Sequence, residues 1–567
     1  MILQALVKLY EDLARQGKIS RPGWNMTKVG YALCIDSEGI LLQIIPLTEE
    51  IQKGNKTVII NQTMELPSPV KRSSGILPNF LWDNSGYIFG VDNKGDEKKS
   101  REKFAACHEL HKALLCDVDD PIAKAILKYF ERWIPESSDN CTAFSSIKEE
   151  LLKGANIVFR VNGVYAHESE ALIDAWQRHY NDSTGESIQC LITGKKDTIE
   201  VIHPSIKGVD GAQSSGAALI SFNADAFCSY NREQGFNAPV GKRAAFAYTT
   251  ALNHLLADRE NVHHIGDTTV VCWADEAAPQ YVSLSSALLF GGNFPQELSE
   301  DDIRAIVKKL AEGNPVPDFD MDPSKEFYIL GLAPNAARLS VRFFLRSTFG
   351  DLMRNVNAHY ERCEIVGSKY KMMPLWALFR ETVNQHSKNA SPSPVMAGAV
   401  ARAIFSETRY PASLLEAVMI RIHAEREITY GRAAIIKAYY LKNTDIHCPK
   451  EVLTVGLNEN STNIPYTIGR LFAVYEAVQE SANSGINATI KDKYFNSVAA
   501  TPAHILPILD ALCQKHLRKL SVGQRIYFEK QIGELKCIMG EENPTRLTLP
   551  EQGSFYLGYY HQKQKKI

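Results

Sequence analysis

The sequence predicts an α+β, multidomain fold: a mixed α/β region over residues 1–334, a helical middle over 335–454 and an all-α helix bundle over 455–567. Three observations predict it. The strongly β-prone apolar runs all lie in the first part of the chain. Beyond them, apolar residues recur at three-to-four-residue spacing. The closing stretch holds helix-sized segments joined by short connections, the pattern of an antiparallel bundle. At 567 residues, 45% hydrophobic and 23% charged, the chain has an ordinary globular composition. Its length suits about three to four domains.

Ile2, Leu6, Leu9 and Leu13 share one face of an N-terminal helix. Tyr31–Ile35 and Ile40–Ile45 read as strands of a hairpin turned by Asp36-Ser37-Glu38-Gly39. Thr57–Ile60 and Tyr87–Val91 are strand candidates around a proline-rich loop. The pattern is helical over Lys98–Phe130, strand over Ile157–Val161 and helical again over Glu168–Tyr180. Gln189–Ile192 and Ala218–Phe222 are strand candidates around a Gly-Ser-rich loop, and Thr268–Trp273 and Phe327–Leu332 are the strongest β runs. Between those two, Gly291–Pro323 holds one charged helix and the linker GNPVPDFDMDP. Asn335 is a cap for a helix toward Tyr360, and Pro411–Leu441 is helical. Four helices follow: the first is capped by Asn463 with Pro465 in its first turn, the third opens near Thr501-Pro502 and buries Ile505, Leu509, Leu512 and Leu517, and the others cover about Ile490–Ala499 and Gln524–Met539; the tail adds a short one over Glu551–Lys566.

A net charge of −2, from 63 basic and 65 acidic residues, does not announce a nucleic-acid binder, so any such contact must come from local patches. Eleven cysteines without a C-x-x-C pair read as reduced thiols of a cytoplasmic protein. The amphipathic N-terminus is not a secretory signal, and no long apolar run suggests a membrane span.

Motifs that suggest catalysis fail on spacing. GFNAPVGKR (235–243) has five residues between its glycines, and Arg243 stands where a phosphate loop needs a hydroxyl. In CHELHKALLC, His108 and His111 are three apart, whereas a zinc peptidase places two histidines four apart. His263-His264 lacks a second ligand cluster, and Asp318, Asp320 and Asp322 lie in a linker. No metal, cofactor or catalytic residue is assigned.

Four constellations suit nucleic acid. The loop LPSPVKRSSGILPNFLWDNSGYIFG (66–90) carries Lys71, Arg72, Ser73, Ser74, Asn79 and Asn84 between prolines and glycines. Cations hold phosphates, and amides read base edges. Phe80 and Trp82 read first as core residues and second as a wedge between base pairs. The loop HPSIKGVDGAQSSGAALISFN (203–223) offers Lys207, Gln213, Ser214 and Ser215, or is a structural turn between strands; Tyr230, Asn231, Gln234 and Asn237 continue a polar run. Arg338, Arg342 and Arg346 recur every fourth residue, which on a helix is about 6 Å per step, close to phosphate spacing. Lys515, Arg518 and Lys519 lie on the final bundle, where a strand-tracking surface and ordinary solubility predict the same pattern.

Five blocks, in order along the chain, resemble the large subunit of the subtype I-C CRISPR surveillance complex, Cascade. They are MILQALVKLYEDLARQGKI with Pro22-Gly23-Trp24; PVKRSSGILPNFLWDN; HPSIKGVDGAQSSGAALISFNADAF with FNAPVGKRAAFAYTTALN; GDTTVVCWAD with FYILGLAPNAARLSVRFF; and YPASLLEAVMIRIHAERE with GRAAIIKAYYLKN. The closing GRLFAVYEAVQE and SFYLGYYHQKQ are similar to it too. The resemblance implies a non-catalytic subunit without cofactor. Its partners would be double-stranded target DNA and the displaced strand, guide RNA through the complex, the backbone and RNA-processing subunits, a small subunit and a separate helicase–nuclease. Its role would be to recognise the flanking motif (the PAM) and help open the duplex, while base pairing to the guide reads sequence. It also implies a small subunit encoded from an internal start, near Val455-Gly456-Leu457-Asn458, where no methionine stands. Two other readings are a metal-dependent nuclease or hydrolase using the His108–His111 region, and a structural scaffold that touches no DNA.

Overall fold

The computed structural model describes the chain except residues 54–55, 71, 73–74, 94–95, 182–186, 223, 259–261, 292–297, 388–389, 541–542 and 566–567, and except the side chains of 51–59 and 181. It is a multidomain α+β protein with several small sheets and a helical C-terminal region. It divides into two compact units, Met1–Pro204 with Ile220–Leu252, and Ser205–Leu219 with Asn253–Ile567.

In the first unit, the N-terminal helix Ile2–Arg15 buries Leu6, Leu9 and Leu13, as its spacing predicts. The principal sheet runs Leu41–Pro46, Tyr31–Ile35, Ile157–Val161 and Trp82–Asp83, with Val164–Tyr165 beside the third strand. Tyr31–Ile35 and Ile157–Val161 pair in parallel, and the Asp36–Gly39 hairpin forms where the turn residues place it. There the Asp36 carboxylate accepts the N–H groups of Glu38 and Ile40, both at 2.9 Å. Strand alternation then sorts the side chains. Leu33, Ile35, Ile157 and Phe159 join a core with helices Glu97–Leu115, Pro121–Arg132 and Glu170–Asn181. Ala32, Cys34 and Val158 face the other way, onto Trp82, Leu66 and Val29. A second sheet is ordered Trp24–Val29, Lys56–Pro67, Thr48–Lys53.

Three strand expectations fail. Gln189–Ile192 is strand only at Gln189, the last residue of Ser187–Gln189, and turns from residue 191. Tyr87–Val91 is preceded by an Asn84 cap and begins inside a short helix, Ser85–Ile88. Ala218–Phe222 contributes a single bridge, at Ala218.

The second unit is built on an antiparallel sheet, Val262–Ile265, Thr268–Ala274, Glu326–Asn335 and Arg338–Thr348. Val270, Cys272, Ile329 and Phe343 point into a core shared with helices Phe349–Cys363 and Pro394–Phe405. The helix expected from Asn335 is therefore replaced by strand, and residues 334 and 335 lie in one hairpin. Helix formation begins only at Phe349, where the Thr348 hydroxyl accepts the Asp351 N–H at 3.1 Å.

The C-terminal bundle has the expected helices, Ile464–Ala482, Ile490–Ala500, Pro502–Leu517, Val522–Met539 and Leu549–Gln564. Asn463, Thr489, Ser521 and Thr548 occupy their cap positions. Ile464–Ala482 is buried on all sides from Pro465 to Glu476, the mark of a central helix. Within it the Glu476 carboxylate, itself buried, accepts from Tyr559 Oη at 2.6 Å, Thr489 Oγ1 at 3.0 Å and Lys563 Nζ at 3.1 Å.

Candidate nucleic-acid interface

The proline-rich loop splits into an exposed arm and a buried root. Asp83, at 1% side-chain exposure, organises the root. Its carboxylate accepts from the Asn79 N–H at 2.9 Å, from the Asn84 N–H at 2.8 Å, and from the Arg72 guanidinium. Arg72 also donates to Leu77 O at 2.6 Å and lies 4.2 Å over the Tyr87 ring. Burial pushes the Asp83 carboxyl above its usual range, against the pull of Arg72 and the two amides. Desolvation outweighs attraction here, so this pair fixes geometry more than it stabilises.

Asn79, expected to read a base edge, is buried, and its Oδ1 accepts the Val70 N–H at 2.9 Å. Asn84, half-buried, spends its Oδ1 on the Gly86 N–H at 3.1 Å as a helix cap. Both amides are structural because the turn needs local acceptors, and Asn supplies them as readily as it supplies base contacts. Phe80 and Trp82 are core residues, Trp82 donating to Pro67 O at 2.8 Å; the wedge reading is set aside. Lys71, Ser73 and Ser74 lie outside the described residues.

His111 clamps the same root. Its Nε2 accepts the Leu81 N–H at 3.0 Å, and its Nδ1–H donates to Cys107 O at 2.8 Å. Leu81 is held at φ 65°, a left-handed geometry rare for a branched side chain. With both ring nitrogens engaged, His111 has no lone pair left for a metal. His108 stacks on Phe130 at 5.7 Å. Among the described residues no group of three or more His, Cys, Asp or Glu side chains could hold a metal ion.

Burial pulls His111 down to about 4 and His359 to about 3. The unfolded chain, titrating near 6.5, then binds protons that the folded state refuses. Stability is complete above about pH 6.5 and falls as pH drops toward 4, by about 2 kcal/mol per fully buried histidine at pH 5. Urea midpoints at pH 7.5 and 5 should show this loss, with a shallower slope in a His111→Gln variant.

The Gly-Ser-rich loop, by contrast, presents its polar side chains. Its two ends meet at Ile206 and Ala217, which form an isolated bridge and exchange N–H···O bonds of 2.9 Å. Asn253 Oδ1 accepts the Lys207 N–H at 2.8 Å, and Thr269 Oγ1 accepts the Asp210 N–H at 3.0 Å. Gly216, at φ 98°, closes the loop against Ser205 and Ile206, where a side chain has neither room nor an allowed backbone. Past the bridge, Ala218 runs parallel to Arg338, receiving the Leu339 N–H at 2.9 Å. Lys207, Gln213, Ser214 and Ser215 therefore stand exposed on a loop whose root is stapled to the strand that begins at Arg338.

Arg338, Arg342 and Arg346 do not form the expected helical row. They lie on strand Arg338–Thr348, where four residues span about 13 Å. Arg342 is the extra residue of a bulge opposite Gly331 and Leu332, and pairs with Asp267 at 2.8 Å. Arg346 pairs with Glu326. Arg342 and Arg346 are thus neutralised by carboxylates. On the bundle, Lys515, Arg518 and Lys519 come together, exposed, at the end of helix Pro502–Leu517, with Lys519 Nζ donating to Asn483 Oδ1 at 3.0 Å. Cations there also complement the helix dipole.

Asp83 and His111, the residues that hold the root, are missed by the sequence reading. The Asp83-Asn84-Ser85-Gly86 string is the turn signal that would have found the first. Nothing local marks His111, whose partner is thirty residues away in sequence.

A multidomain α+β body that holds a glycine-rich polar loop on a rigid sheet, followed by a helix bundle, is the class of architecture these elements define. The family model for CRISPR-associated protein (Cas_Csd1) matches residues 6–567, and the chain belongs to that family. No curated protein matches it. No helix among the described residues is long and apolar enough to cross a membrane.

Proposed function

We propose that this CRISPR-associated protein is the non-catalytic large subunit of a subtype I-C Cascade complex in the cytoplasm. In this reading it recognises the PAM in target duplex, aids strand opening and recruits the helicase–nuclease. Guide RNA reaches it through the backbone, RNA-processing and small subunits. One observation carries the reading: a chain whose family match runs over 6–567 holds Lys207, Gln213, Ser214 and Ser215 exposed on a stapled loop beside Arg338. Amide and hydroxyl groups on a rigid support suit base edges in a groove, and Lys207 suits the adjoining phosphate. Lys71, Ser73 and Ser74 are companion donors on chemical grounds, and Lys515, Arg518 and Lys519 suit the backbone of the displaced strand.

The test is binding of the assembled complex, with guide RNA, to duplexes carrying every flanking trinucleotide. Gln213→Ala with Ser214→Ala and Ser215→Ala should flatten the preference among flanks. Lys207→Ala should weaken all flanks alike and reduce the salt slope by about 1. Unchanged discrimination in the triple variant would remove this loop from PAM reading.

A further inference from the structure

Among the described residues Tyr230 is the most solvent-exposed large hydrophobic residue, at 96%, on a loop that is anything but loose. The loop joins two short turns, Asp225–Phe227 and Gln234–Asn237. Its backbone is left-handed at Tyr230 (φ 54°), Asn231 (φ 55°) and Gln234 (φ 46°). Asparagine tolerates that geometry, but it is unfavourable for Gln234 and most of all for the bulky Tyr230. It is sustained by a brace from within. The Asn237 Oδ1 accepts the Ser229 N–H at 2.9 Å, while its Nδ2 donates to Arg232 O at 2.9 Å and Gln234 O at 3.0 Å. Gly235 seats the loop so closely on Glu200 and Val201 that a Cβ would come within 2.7 and 2.8 Å of their carbonyl oxygens.

Folding thus orders a strained loop and leaves its aromatic ring in water, where the ring adds no burial to the core. Strain kept without a packing return points to a contact made with something else. The neighbours say what kind. Asn231, Arg232 and Gln234 are all exposed beside the ring. An aromatic face with a guanidinium and two amides suits the flat face, the phosphate and the edge of an unpaired nucleotide.

We infer that Tyr230 is a stacking platform for a single unpaired nucleobase, with Arg232 at its phosphate and Asn231 and Gln234 at its edge. This rests on the nucleic-acid reading above and adds a contact point for the opened strand. Stacking of this kind tolerates any base, so the platform holds a strand without reading it.

The test uses the full chain in its assembled complex. The probes are target duplexes with and without a mismatched bubble, and single-stranded DNA and RNA oligonucleotides carrying 2-aminopurine. Tyr230→Ala should weaken binding to bubble duplex and single strands about tenfold or more and abolish the fluorescence quenching that stacking causes. Tyr230→Phe should remain close to wild type, and both should melt like wild type because the ring packs against nothing that folding needs. The DNA and RNA arms identify which strand is held. Wild-type affinity and quenching in Tyr230→Ala would overturn the inference. So would loss of a protein subunit from the Tyr230→Ala complex with nucleic-acid affinity unchanged, which would make the tyrosine a protein anchor. A wild-type complex that binds no nucleic acid would overturn the broader reading as well.

Discussion

Replacing Gly558 with valine should unfold the C-terminal bundle. Helices Ile464–Ala482 and Leu549–Gln564 cross at a reciprocal pair of glycines. A Cβ on Gly558 would overlap the Tyr466 carbonyl oxygen, and one on Gly469 would overlap the Phe555 carbonyl oxygen. Both obstacles are backbone, so no side-chain rotation relieves them. Two effects compete. Replacing a helical glycine with valine gains only about 0.5 kcal/mol of propensity, since valine is itself a weak helix former. Forcing the helices apart costs about 3 kcal/mol or more, and it breaks the contacts of Phe472, Phe495, Phe555 and Tyr559, which pack around that crossing. The clash wins. Gly533 is the control: it lies in helix Val522–Met539 with open space where its Cβ would sit. Gly533→Ala should therefore stabilise by up to about 1 kcal/mol. Denaturant unfolding with proteolytic mapping of residues 464–564 separates the two. Similar effects from Gly558→Val and Gly533→Ala would mean the crossing is looser than described.

The second large effect is expected at Asp83. Asp83→Ala removes a buried acceptor and leaves the Asn79 and Asn84 N–H groups and the Arg72 guanidinium without it. Breaking a buried pair from one side costs about 3–5 kcal/mol, because the remaining charge stays desolvated. Arg72, at 29% side-chain exposure, can turn partly to water, which places the cost near the lower figure. Asp83→Asn should cost less, since it keeps an acceptor and burial already disfavours the ionised carboxylate. The loop root should then open, and protease cleavage between Val70 and Pro78 should rise well before global unfolding. Cleavage at the wild-type rate in Asp83→Ala would show that His111 alone holds the root.

These two sites differ in how far the chain announces them. The glycine crossing is invisible locally, since Gly469 and Gly558 are separated by nearly ninety residues of sequence and each reads as an unremarkable helical glycine. The loop is legible as a loop, from Pro67, Pro69, Gly75 and Pro78, whereas the local hydrogen bonds that engage Asn79 and Asn84 are not. An exposed amide and a capping amide have the same composition signature. Only burial separates them.

What the sequence alone determined were features set by near neighbours: the Asp36–Gly39 turn, the Asn463 cap with Pro465 behind it, the N-terminal amphipathic face and the run of bundle helices. Each depends on contacts within a few residues, so a local pattern is sufficient. The tertiary structure decided the rest. Arg338–Thr348 carries cations at four-residue steps and apolar residues at two-residue steps, and both periods fit. Pairing with Glu326–Asn335 settled it as strand, because the hydrogen bonds that define a strand belong to its neighbour. The same non-local logic buried Asn79, left Tyr230 in water and stapled Lys207–Ser215 to the sheet edge.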